Sequence, residues 1–327
     1  MALPRVDIIG LGGTISMAGA GAAGVLPTLT AEDLVQALPA LAEAAEVQAA
    51  QFRMIAGSSL SMADLVATAA EVQRRLDEGA AGVVVTQGTD TIEEVAFGLD
   101  LLVPGEAPVV VTGAMRNPTL PGADGPANLL AALQVAASPL ARGLGALVVF
   151  NDEIHAARWV QKTHTSSPAT FRSRPLGPIG WVAEGAVRIA LRPVGRRQVC
   201  VPAAAPQRPV ALLTMALGDD GRLLGSLAGL GYSGAVLEAL GGGHLPFFAV
   251  EAAARLAAEM PVALASRTGS GEVLRGTYGF AGSESDLLAR GLIHAGALDG
   301  PKARILLSLL LQGGAGRGEI VAAFGEA

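Results

Sequence analysis

Three separated stretches carry side chains that could make and break an acyl bond. In IIGLGGTIS (Ile8–Ser16) an apolar run stops at Gly12-Gly13 and presents Thr14. In VVVTQGTDTIEEVAFGLDLL a second apolar run ends at Thr86-Gln87 and is followed by Gly88, Thr89 and Asp90. In FNDEIHAARWVQKTHTSSPATF, Lys162 stands among small polar residues. A hydroxyl nucleophile needs a group to take its proton. A lysine held against a carboxylate can serve, as in the triad variants where lysine replaces histidine. Thr14, Thr89, Asp90 and Lys162 supply the two hydroxyls, the carboxylate and the amine.

Other readings of the same residues stand beside this one. Gly10-Leu11-Gly12-Gly13-Thr14-Ile15 begins like a dinucleotide fingerprint but lacks its third glycine, and no Gly-Lys-Ser/Thr follows for a phosphate loop. Gly12 and Gly13 would then simply turn the chain. Asp90 or Thr91 would suit a helix N-cap. A lysine on a solvated face needs no chemical role.

The elements that must position these groups follow from hydropathy. Short apolar runs predict strands at Val6–Leu11, Gly82–Thr86, Val109–Thr112 and Ala146–Phe150. Amphipathic stretches between them predict helices at Ala31–Leu38, Met62–Leu76, Ile92–Leu102 and Ala127–Ala136. Uninterrupted apolar strands alternating with helices imply an α/β fold, a doubly wound and mostly parallel sheet buried on both faces. Thr14 and Thr89-Asp90 then fall at carboxyl ends of strands, where such sheets bind ligands. Residues 12–30, rich in glycine and alanine, read as a loop or a closing lid.

From Val187 to Gln207 basic residues and prolines break the pattern. The organisation expected is an N-terminal α/β domain over 1–190, a linker over 191–207 and a smaller C-terminal α/β domain over 208–327. In the latter, strands are predicted at Val210–Met215, Gly234–Glu238 and Val262–Ser266, and helices at Phe247–Glu259, Pro301–Leu311 and Ile320–Phe324.

Composition narrows the function classes. Net charge is −6 with no block of lysine or arginine, which argues against a nucleic-acid surface. No run of about 18 apolar residues suggests a membrane span. Cys200 is the single cysteine and the four histidines are scattered, so neither a disulfide, a zinc spacing nor a redox pair is read. The start MALPRVDIIG enters a strand at once without a basic segment, and a cytoplasmic protein is expected.

GLGGTIS and VVVTQGTDTIEEVAFGLDLL resemble the two signature segments of the bacterial-type L-asparaginase/glutaminase family. The resemblance continues through VVVTGAMR (Val109–Arg116), ADGPANL (Ala123–Leu129), VVFND (Val148–Asp152), KTHT (Lys162–Thr165) and KARILLSLLL (Lys302–Leu311), spanning nearly the whole chain. It implies hydrolysis of a side-chain amide, no cofactor and no metal, and a homodimer or homotetramer. Thr14 would be the nucleophile, with Thr89, Asp90 and Lys162 as the supporting triad. Asp90 would also hold the substrate α-ammonium. The Thr89 N–H and the Ala114 carbonyl would receive the amide group. Gly57, Ser58, Ser59 and Gly88 would line the substrate, with Ser58 or Ser59 gripping the α-carboxylate. Glu284 would reach the neighbouring subunit's site and meet the α-ammonium there. For the serines, the N-cap region of the following helix is the competing reading. For Glu284 it is a solvated glutamate at a helix start.

The resemblance departs at two points. The family's mobile loop commonly carries a tyrosine beside the nucleophile, and Gly19–Leu29 has none. Only Tyr232 and Tyr278 exist in the chain, and Tyr278 is the candidate stand-in. The serine loop reads Gly57-Ser58-Ser59-Leu60 where the family commonly has Ser-Gln-Asp-Met. The activity expected is asparagine hydrolysis with weaker glutamine hydrolysis, since one methylene discriminates only modestly. The competing functions are a ligand-binding protein on the same fold and an ammonia-supplying amidotransferase subunit.

Overall fold

The structure is a computed structural model that describes residues 2–18, 26–27 and 29–325. The chain forms two compact units, Met1–Gln198 and Val199–Ala327.

The first unit contains β1 (Arg5–Gly10), β2 (Met17–Ala18), β3 (Leu26–Pro27), α1 (Ala31–Gln36), α2 (Leu41–Ala44), β4 (Glu46–Gln51) and α3 (Met62–Asp77). There follow β5 (Gly82–Thr86), α4 (Ile92–Leu102), β6 (Val109–Thr112), α5 (Gly125–Ala137) and β7 (Ala146–Phe150). Five short strands complete it: β8 (Glu153–Ala156), β9 (Val160–Lys162), β10 (Phe171–Ser173), β11 (Gly180–Ala183) and β12 (Ala186–Ile189). Eight of these strands make one sheet in the order β12-β11-β8-β7-β6-β5-β1-β4. The neighbours from β4 to β7 are parallel, and β8, β11 and β12 add on antiparallel.

Helices cover both faces. Val6, Ile8, Val84, Val110, Leu147 and Val149 share one buried cluster with Leu34 of α1, Leu41 of α2 and Leu129 and Leu133 of α5. The alternate residues of the same strands point the other way, where α3 lies on β5 and α4 on β6 and β7. A strand buried on both faces cannot alternate polar and apolar residues, hence the runs GVVVT, VVVT and ALVVF. β1 lies between β4 and β5, so the chain leaves it to one side and returns on the other. This is a topological switch point, and its crevice opens at the strands' carboxyl ends.

β4, with the half-exposed sequence EVQAAQ, went unpredicted because an edge strand has no continuous apolar run. The antiparallel strands β8, β11 and β12 were also unread, at four residues each. The stretch expected to link domains begins by packing on the first unit. Arg192 donates to the carbonyls of Leu140 and Arg142 at 3.1 and 2.6 Å. Arg196 meets Asp100 Oδ1 at 3.0 Å, on a carboxylate that also accepts from the Ala146 N–H at 2.9 Å. Burial raises the Asp100 pKa despite these partners.

The second unit holds β13 (Val210–Thr214), β14 (Gly234–Ala239), α6 (Val250–Glu259), β15 (Val262–Ser266), α7 (Glu284–Ala289), β16 (Ile293–His294), α8 (Gly300–Gln312) and α9 (Arg317–Gly325). Its four strands are parallel in chain order. Among the described residues no helix is long and apolar enough to cross a membrane.

Candidate active site

Backbone contact draws three loops together at the carboxyl ends of β1, β4 and β5. Leu11 donates its N–H to the Thr86 carbonyl at 2.8 Å, so the chain beyond β1 starts pinned to β5. Gly13 then takes φ +87°, and a Cβ there would lie 2.0 Å from the Gly88 nitrogen. From the loop after β4, Gly57 presses on the same residue: its Cβ would stand 2.7 Å from the Gly88 carbonyl oxygen. Only glycines permit this approach. Each is followed by residues of the expected site: Thr14 after Gly13, Ser58 and Ser59 after Gly57, and Thr89 and Asp90 after Gly88.

Thr14 opens a short 3₁₀ turn to Ser16, closed by Ser16 N–H donating to the Gly13 carbonyl at 3.0 Å. It is half-buried, and its hydroxyl has no hydrogen-bond partner among the described residues. Ile15 is buried beneath it, against the first residue of α5. Of the loop read as a lid, residues 19–25 and 28 lie outside the described residues.

Lys162 arrives from β9. Its Nζ donates to Thr89 Oγ1 at 2.9 Å and to Asp90 Oδ1 at 2.7 Å. Its main-chain N–H donates to Glu93 Oε2 at 2.7 Å, in the first turn of α4. β9 pairs with β10, matching Lys162 to Phe171, and the Phe171 ring packs on Phe150 at a centroid distance of 4.9 Å. The amine is thus fixed at both its backbone and its tip. Thr89 is buried, whereas Asp90 keeps 60% of its side chain exposed and can accept a further cation.

Ala114 follows β6 and is fully buried. Its loop is set by two side chains of the ADGPANL segment. Asp124 accepts from the N–H groups of Met115 and Arg116 at 3.0 and 2.8 Å, and Asn128 donates to the Gly113 carbonyl at 3.0 Å. Asn128 also accepts from the Asn151 N–H at 2.9 Å, tying this loop to the end of β7.

The competing cap readings resolve differently. Ser58 and Ser59 are exposed in a 3₁₀ turn, and the N-cap of α3 is Ser61, in a capping box with Asp64. Thr91 occupies the N-cap position of α4 but makes no capping bond. Its hydroxyl donates to the Gly57 carbonyl at 2.9 Å instead. The role of Thr91 was missed because a threonine before a helix reads as a cap. The oxygens Ser16 Oγ, Thr86 Oγ1 and Gln87 Oε1 are buried here with no partner among the described residues. No three His, Cys, Asp or Glu side chains among the described residues gather as a metal would require.

Glu284 lies in the second unit and is not a solvated helix-start residue. It has no exposed surface. Its Oε1 accepts from the N–H groups of Thr277 and Tyr278 at 2.7 and 2.8 Å, and Oε2 lies 3.2 Å from His244 Nε2. Burial raises its pKa, but these N–H groups and His244 outweigh that and hold it below the ordinary glutamate value. Tyr278 stands edge-on to His244 at a centroid distance of 5.0 Å.

Residues 5–195 match the model of the asparaginase N-terminal domain, and residues 209–324 that of the glutaminase/asparaginase C-terminal domain. A probable L-asparaginase of Deinococcus radiodurans is 38% identical over 97% of this chain and 96% of its own length. L-asparaginase 2 of Escherichia coli is 32% identical over 95% of this chain and 90% of its own. The crystal structure of a probable cytoplasmic L-asparaginase from Campylobacter jejuni superposes with a TM-score of 0.87, at 29% identity, covering 98% of this chain and 99% of that one.

Proposed function

The chain belongs to the asparaginase family, and from that premise we infer that it is an L-asparaginase, hydrolysing the side-chain amide of L-asparagine to L-aspartate and ammonia. The observation that carries the reading is the joining of Lys162 to both Thr89 and Asp90, on a loop whose Gly88 touches the residue before Thr14.

In the mechanism we propose, the Thr14 hydroxyl oxygen attacks the amide carbon and its proton passes to the protein. The Thr89 N–H and the Gly113–Arg116 loop surround the amide, where negative charge grows on its oxygen. The carbon–nitrogen bond breaks, the nitrogen leaves as ammonia with the added proton, and an ester to Thr14 remains. Thr89 orients a water against that ester, and Lys162, as the neutral amine, takes one proton of that water and delivers it to the departing Thr14 oxygen. The water's other proton passes with the released ammonia as aspartate leaves as the carboxylate. Asp90 balances the charge of Lys162 and, being largely exposed, also receives the substrate α-ammonium. Ser58 and Ser59, with Gly57 and Gly88 behind them, grip the α-carboxylate.

The reading extends to glutamine as a slower substrate, to a cytoplasmic location and to a homodimer or homotetramer. The cytoplasmic part leans on the Campylobacter neighbour's description, against which a Haemophilus influenzae relative is described as periplasmic. The deciding assay is ammonia release from a panel of amides by the purified protein. Release from asparagine ahead of the others is expected. Binding of aspartate without turnover of any amide would overturn the reading in favour of a ligand-binding protein.

A further inference from the structure

We propose that Thr91 is a specificity-determining positioning residue, whose bond to Gly57 fixes the span between the α-carboxylate grip and the nucleophile and so selects asparagine over the longer glutamine. The inference rests on the asparaginase reading and deepens it.

The two ends of the substrate are held by different loops. The α-carboxylate falls to the Gly57–Ser59 turn and the amide to Thr14 and Thr89. Their separation is therefore a property of how the loops are clasped. Gly57 and Gly88 meet backbone to backbone, and a Cβ on either would lie within 2.8 Å of the other's main chain. Across this contact the Thr91 hydroxyl donates to the Gly57 carbonyl at 2.9 Å. That carbonyl also closes the serine turn, accepting from the Leu60 N–H at 3.3 Å.

The direction of the Thr91 bond is set as well. Gln87 Nε2 donates to Thr91 Oγ1 at 3.3 Å and to the Gly88 carbonyl at 3.2 Å, which leaves the threonine proton for Gly57. Gln87 is fully buried, so this chain of bonds has little competition from water. Thr91 holds the N-cap position of its helix yet spends its hydroxyl on another loop rather than on capping. A clasp of this kind keeps the span short, and a substrate one methylene longer seats its two ends less well.

The test compares wild type, Thr91→Val and Thr91→Ser. It reads kcat and KM for asparagine and glutamine by ammonia release, the affinities of aspartate and glutamate by calorimetry, and the thermal midpoint as a fold control. Thr91→Val is expected to narrow the asparagine-to-glutamine ratio of kcat/KM by about 3- to 10-fold, and the aspartate-to-glutamate affinity ratio with it. Most of that change should fall in KM for asparagine. Thr91→Ser, which keeps the hydroxyl, should restore both ratios. Equal losses on both amides in Thr91→Val, or a wild type indifferent to chain length, would overturn the proposal. If wild type releases no ammonia from either amide, the asparaginase reading itself falls, and the span argument with it.

Discussion

Lys162 and Thr89, 73 positions apart in sequence, meet at 2.9 Å between Nζ and Oγ1. Three elements make this contact: β5 ends at Thr86, α4 starts at Ile92, and β9 turns back across the start of α4. If the amine is the proton acceptor, an apolar side chain of similar length should abolish turnover while leaving the fold. Lys162→Met is expected to lower kcat by about 10²- to 10⁴-fold. Ammonia release measures it, with circular dichroism as the fold control. A kcat within threefold of wild type would remove Lys162 from the chemistry.

The Thr14 hydroxyl has no hydrogen-bond partner among the described residues and, unlike that of the buried Ser16, belongs to a half-buried residue. Its removal should therefore cost activity and little else. Thr14→Ala is expected to lower kcat by at least about a thousandfold and to change stability by less than about 1 kcal/mol. Rapid-quench mass spectrometry with wild type should trap an acyl adduct on the peptide containing Thr14. An adduct on a different residue would reassign the nucleophile.

Gly13 and Gly88 stand so close that no side chain fits between them. Gly13→Ala must also bear φ +87° with a Cβ. Expected is a stability loss of at least about 2 kcal/mol in urea unfolding, together with a fall in kcat/KM. Gly79→Ala makes the useful contrast. It shares the positive φ, at +94°, but has nothing within 4 Å. It should lose stability from strain alone and keep its activity.

Much of this arrangement is readable in the residues themselves. The strands β5, β6 and β7 were bounded correctly, because a strand buried on both faces leaves an unbroken apolar run. The pairing of Lys162 with Asp90 was foreseen only as a possibility, since sequence carries no distance. The clasp of Gly13, Gly57 and Gly88 was not legible at all: each glycine looks like an ordinary turn residue until its neighbour from another loop is known. Thr91 and Asn128 were hidden for a related reason. Their types fit a helix start and a helix interior, and only the tertiary contacts reveal carbonyl partners on other loops. Glu284 shows the reverse. Its position was found by counting, but its burial depends on backbone N–H groups that no motif announces.

His155 makes the stability of the fold sensitive to acid from above the carboxylate range. It is fully buried on β8, with Nδ1 2.9 Å from Ser173 Oγ on β10, the strand paired to Lys162's own. Burial, reinforced by the charge of Arg172, lowers its pKa from 6.5 to about 4, although Glu153 lies 3.4 Å from Nε2. The unfolded chain therefore takes up a proton between about pH 6.5 and 4 that the folded chain refuses. With more protons bound to the unfolded state, stability rises with pH across that window and falls as pH drops through it. The loss attributable to this group is on the order of 3 kcal/mol. Carboxylates titrate in the lower part of the same range, so the measurement must be a difference. Urea unfolding of wild type and His155→Gln at pH 7.5, 6 and 5 supplies it. The variant is expected to start less stable, having lost a packed ring, and to lose less on acidification. Parallel pH profiles for the two proteins would mean that His155 is protonated in the folded state as readily as in the unfolded one, and that the hairpin bearing Lys162 owes its acid response to other groups.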